Sequence, residues 1–75
     1  LHGYSQGALS WLPQFADAGL ARAFRLVAMD LRGHAASGKP WAPEAYAGSK
    51  PWADDVHAVV TALGLERPVV VGWSF

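Results

Sequence analysis

Ser74 is the residue in this sequence best placed to act as a nucleophile. It ends the triplet Gly72-Trp73-Ser74, directly after the apolar run Pro68-Val69-Val70-Val71. A serine hydroxyl attacks a carbonyl only when a base takes its proton. A sharp turn after a buried strand would project its Oγ above the sheet edge. Such a turn strains the serine's backbone, so the residues two away must be small, and Gly72 supplies one of them. A G-x-S triplet alone is common by chance, and an ordinary strand-end turn fits this segment equally well.

Two earlier segments carry further chemistry. Leu1-His2-Gly3-Tyr4-Ser5-Gln6-Gly7 is rich in small residues and could aim main-chain N–H groups at a developing oxyanion. It could also be a plain glycine-containing loop, with His2 a structural hydrogen-bonding residue. Asp30-Leu31-Arg32-Gly33-His34-Ala35-Ala36-Ser37-Gly38-Lys39-Pro40 offers Asp30, Arg32, His34 and Ser37, which could bond one another and fix a polar turn. A catalytic reading pairs His34 with Ser74 as general base. A satisfied polar turn is the simpler account.

These segments need elements to hold them. Phe24-Arg25-Leu26-Val27-Ala28-Met29 ends at Asp30, and Pro68-Val69-Val70-Val71 ends at Gly72. Neither run alternates cleanly, which predicts strands covered on both faces, as in a parallel sheet. Pro68 suits a first strand position. A helix is predicted between them, with Ser49 as N-cap, Pro51 in the first turn and Asp54 and Asp55 near the positive end of the dipole. Trp52, Val56, Val59, Val60 and Leu63 make one apolar face, and Gly64 ends it. Strand, helix, strand is a crossover unit, expected to be right-handed. An earlier helix is predicted from Ser10 to near Gly19, with Trp11, Leu12 and Phe15 as its buried stripe. Residues 33–48 hold three Gly and two Pro and read as a long loop.

Composition excludes several classes. The chain has 75 residues, 52% of them hydrophobic, which is too apolar for a disordered segment. Six basic and six acidic residues cancel, with no basic stripe for nucleic acid and no cluster for an anionic membrane. No apolar stretch is long enough to span a bilayer. With zero cysteines there is no disulfide and no cysteine metal site, which fits a cytoplasmic protein. The chain opens at Leu1 without Met and stops inside an apolar run. We therefore expect residues 1–75 to be part of a domain cut at both ends.

Taken in order, the three segments resemble the α/β-hydrolase family. That family carries a His-Gly oxyanion loop, a helix, a strand ending in a D-x-R-G-H-G-x-S loop, then a helix and strand leading into G-x-S-x-G. Here His2-Gly3, Asp30-Leu31-Arg32-Gly33-His34, Ser37 and Gly72-Trp73-Ser74-Phe75 stand in that order at family-like spacing. The nearest branch is that of small bacterial esterases and cofactor-free haloperoxidase-like hydrolases. The resemblance implies a three-layer αβα fold with a mostly parallel sheet, only partly present here. In that fold the strand before the His-Gly loop lies between the two strands read above. Ser74 matches the nucleophile, and the backbone N–H groups of Tyr4 and Phe75 match the oxyanion donors. The histidine base and its acid follow the nucleophile in chain order, so neither is His34. Serine at 74 argues against the related dehalogenases and epoxide hydrolases, which use aspartate there.

Two departures stand out. Ala35 replaces the usual glycine after Gly33-His34, adding strain if that position has a positive φ. The second glycine of G-x-S-x-G lies beyond Phe75. The implied activity is hydrolysis of an ester-like small molecule through an acyl-enzyme, without cofactor or metal. Two other classes stay open. One is a non-catalytic binding protein of the same fold. The other is a dinucleotide-binding fold with Asp30 as ribose-binding acid, for which the G-x-G-x-x-G is missing. Trp41, Trp52 and Trp73 are expected to line a pocket or, for at least two of them, to pack in a core.

Overall fold

A computed structural model describes residues 1–74. The first helical stretch is not continuous. A 3₁₀ turn at Ala8–Trp11 runs into α1 (Leu12–Phe15), and α2 (Ala18–Ala23) follows separately. The single helix expected from Ser10 to Gly19 breaks because Asp17 takes an extended backbone and its carboxylate accepts the Leu20 N–H at 2.9 Å. A good N-cap starts a new helix there, and Gly19 lies inside it. The expected stripe is also corrected: Leu12 and Phe15 are exposed, and only Trp11 is half-buried.

The second helix forms as read. α3 spans Lys50–Ala62 with Pro51 in its first turn. Trp52, Val56, Val59 and Val60 are half-buried along one side, while Leu63 is exposed. The end is a Schellman motif: Leu65 N–H reaches Val60 O at 3.0 Å, Gly64 N–H reaches Thr61 O at 3.1 Å, and Gly64 has φ +62°. The start differs from expectation. Ser49 holds the N-cap position but its side chain caps nothing, and Asp54 pairs instead with Lys50 at 2.7 Å.

No paired strand forms among the described residues. The runs at 24–29 and 68–71 lie outside helices, and no main-chain hydrogen bond joins residues 25–29 to another segment. A strand is defined by what it pairs with, and neither run builds a ladder among the described residues. Their expected double-sided burial also fails: Val69, Val70, Val71 and Phe24 are all exposed. One trace of parallel pairing remains. Leu1 N donates to Val71 O at 2.5 Å, and Trp73 N donates to Leu1 O at 3.1 Å. Bonds from one residue to positions either side of its partner are the parallel pattern. Leu1 thus lies beside residues 71–73, while His2 bonds to Leu31. That puts the start of the chain between the ends of the two runs.

Residues 33–48 are a loop apart from a 3₁₀ turn at Pro43–Tyr46. The tryptophans depart from the packing expectation: Trp41 is 98% exposed and Trp73 is 63% exposed, and only Trp52 packs, against Tyr46 and His34. Among the described residues no helix is long and apolar enough to cross a membrane.

Candidate active site

The site is assembled at the crossing of three loops. His2 is its buried centre, at 1% exposure. Its Nε2 accepts the Leu31 N–H at 2.9 Å, so the ring proton sits on Nδ1, which donates to Gly3 O at 2.7 Å. Both nitrogens are spent on the main chain, and His2 holds the opening loop to the 30–34 loop.

Gly3 begins a turn closed by Gln6 N–H to Gly3 O at 3.2 Å. The Gln6 Oε1 accepts the Gly3 N–H at 3.0 Å. A Cβ placed on Gly3 would lie 3.1 Å from Trp73 Cδ1 and 3.2 Å from Ser74 Cβ. The opening loop therefore packs directly on the serine, and glycine permits that approach. Tyr4 and Ser5 form the middle of this turn, with Ser5 at φ +61°. Ser74 itself has φ +62°, the strained backbone expected of a sharp turn. Of the four described non-glycine residues with positive φ, Ser5, Ala35 and Ser74 lie in the site loops, and strain of this kind gathers where geometry is imposed by function. Phe75 lies outside the described residues. Gly72 does not show the crowding expected of it, since a Cβ there meets nothing within 4 Å among the described residues.

The 30–38 loop is held partly by bonds among Asp30, Arg32, His34 and Ser37 and partly by other partners. Asp30 Oδ1 accepts the Ala8 N–H at 2.7 Å and Oδ2 accepts the Ala36 N–H at 3.2 Å. The Ala8 bond, then the Ala36 bond, holds the Asp30 carboxyl below its ordinary value. Ser37 Oγ donates to the Asp30 carbonyl. Ala35 has φ +45°, so alanine does carry the strain that glycine would avoid. Gly33, at φ +76°, lies under Tyr46, whose Cε1 would be 2.9 Å from an added Cβ.

Arg32 turns away from Asp30 and His34. It forms a bidentate pair with Asp55 of α3, at 2.6 and 2.8 Å, and donates to Ala45 O at 2.5 Å. The bond to Arg32 lowers the Asp55 carboxyl and raises the Arg32 guanidinium. Asp55 was read only as a dipole residue. Its signal was an acid at position 55 within the spacing Trp52, Val56, Val59, inside an otherwise apolar stripe. His34 is no base for Ser74 here. Its Nδ1 bonds Arg32 O at 3.0 Å and its Nε2 accepts the Ser5 N–H at 3.2 Å.

Trp73 also borders a cavity of about 270 Å³ lined by His2, Gln6, Ser10, Trp11 and Gln14. Its lining mixes amides, a hydroxyl and indoles, and the Trp11 Nε1 beneath it is buried without a hydrogen-bond partner among the described residues. Among the described residues, no three His, Cys, Asp or Glu side chains gather as a metal-ligand set.

A family model described as alpha/beta hydrolase fold matches residues 1–75. The chain belongs to the α/β-hydrolase fold family. A relative in Bacillus subtilis (strain 168), the AB hydrolase superfamily protein YisY, is 42% identical over 53 residues, covering 71% of this chain. The chain spans 19% of that relative's length. No solved structure matches.

Proposed function

We propose that the α/β-hydrolase carrying this chain is a serine hydrolase acting on ester-like small molecules through an acyl-enzyme. One observation carries the reading: Ser74, at φ +62°, ends the apolar run with Gly3 packed against it. That combination puts an exposed serine beside the loop that carries Tyr4, whose N–H the proposal assigns to the oxyanion. Ser74 Oγ attacks the carbonyl carbon and passes its proton to a histidine. The carbonyl oxygen takes the negative charge and is held by the Tyr4 and Phe75 N–H groups. Collapse expels the alcohol and leaves an acyl group on Ser74, which water then removes. His2 and His34 both have their nitrogens on main-chain partners, so neither is taken as the base. In this fold it follows the nucleophile in chain order.

The reading brings with it a three-layer αβα architecture, with the Leu1 pairing to residues 71–73 as part of a parallel sheet, and a cytoplasmic location. In the full-length protein, Ser74→Ala should lower ester turnover by about three to six orders of magnitude with the fold unchanged. Turnover near that of the unsubstituted protein would remove Ser74 from the mechanism.

A further inference from the structure

We propose that His34 is a positioning residue for this reaction, holding the Gly3–Gln6 turn in shape by accepting the Ser5 N–H. The inference rests on the serine-hydrolase reading above. Ser5 stands at φ +61°, a conformation that a residue with a Cβ avoids. The turn needs outside support to keep it. The bond from Ser5 N–H to His34 Nε2, at 3.2 Å, is a tie of that kind from another segment.

The imidazole can serve as a fixed acceptor because its other nitrogen is anchored. With Nε2 accepting, the proton sits on Nδ1 and is donated to Arg32 O at 3.0 Å. Arg32 is clamped in turn to Asp55 of α3. A chain of bonds therefore runs from the longest helix, through Arg32 and His34, to the turn beside Ser74. His2 makes the mirror-image connection. It belongs to the opening loop and accepts from Leu31, while His34 belongs to the 30–34 loop and accepts from Ser5. The two rings meet edge to face at 4.9 Å. His2 fixes the base of the opening loop, and His34 fixes its tip, where Tyr4 and Ser5 lie. A small displacement of that tip would move the Tyr4 N–H away from the developing oxyanion.

The test uses the full-length protein, p-nitrophenyl acetate as substrate, and rates expressed per serine titrated by a fluorophosphonate. His34→Phe keeps the ring and loses both polar atoms. Its kcat should fall on the order of 100-fold while KM changes little, as expected when a transition-state contact is misplaced. His34→Gln, which restores an acceptor toward Ser5, should recover most of the rate. Adding Ser5→Gly to His34→Phe should also recover it, because glycine holds a positive φ unaided. A purely structural role would lower stability and the number of titratable sites but leave kcat per site unchanged. Should His34→Phe not fold, His34→Asn carries the same expectation, since its amide can reach Arg32 O but falls short of Ser5. An unchanged kcat per site in these variants, or a loss that Ser5→Gly does not relieve, overturns the proposal while leaving the nucleophile in place. A wild-type protein with no titratable Ser74 overturns the hydrolase reading, and the role of His34 with it.

Discussion

Asp30 shows how much one carboxylate can organise. It takes N–H groups from Ala8 and Ala36, so it ties the opening loop to its own loop. Those bonds favour the charged form, and Asp55 is held low in the same direction by Arg32. Both carboxyls have an ordinary value of 3.8 and lie below it when folded. The unfolded chain therefore takes up protons first as acid is added. The stability these groups contribute is complete above about 3.8 and is lost as pH falls toward the folded values. Asp30→Asn in the full-length protein should flatten that acid limb, which denaturant titrations across the acid range would measure. An unchanged slope would remove Asp30 from the balance. Gly33 makes a second prediction. Its φ of +76° and the Tyr46 ring above it leave no room for a Cβ. Gly33→Ala should cost about 1–2 kcal/mol from the left-handed backbone alone, read as a lowered melting temperature.

At the scale of elements, α3 is the anchor. Its Asp55 reaches across to Arg32 with both oxygens, and the two side chains are 30% and 22% exposed. Arg32→Lys should fail to replace it, because an ammonium cannot make the paired planar contact. The expected result is a lower melting temperature for Arg32→Lys that closely matches Asp55→Asn, with no further loss in the double variant. Helix α3 was legible because its apolar spacing, Pro51 and Gly64 are local signals that agree with one another. The first helix departs from its periodic pattern because Asp17, a short-range cap, outweighs that pattern. The two apolar runs read as buried strands, yet they are exposed and build no ladder among the described residues, because pairing is a long-range property. Only the Leu1 contacts with residues 71–73 express it among the described residues. Of the site, the loops could be read from Gly, His and Ser in order. The reciprocal histidine bonds could not, since they depend on three loops meeting in space.

Across the whole molecule, the described residues bury little. Leu31 is their one buried large apolar side chain, and Val69 is 88% exposed and Phe24 63% exposed. Folding must overcome about 1–2 kcal/mol of backbone entropy per residue, and so small a core does not supply it. The 75 residues alone should therefore show no cooperative thermal transition by circular dichroism; a sharp, reversible one would contradict this. The runs at 24–29 and 68–71 leave apolar side chains such as Phe24, Val69, Val70 and Val71 uncovered among the described residues. The proposed function requires Ser74 to be an activated nucleophile in the full-length protein. Treatment with a fluorophosphonate, followed by peptide mapping by mass spectrometry, tests it most directly. One adduct is expected, on Ser74, formed by native protein and lost on denaturation or in Ser74→Ala. An adduct on another residue, or none on native protein that hydrolyses an ester, would contradict it.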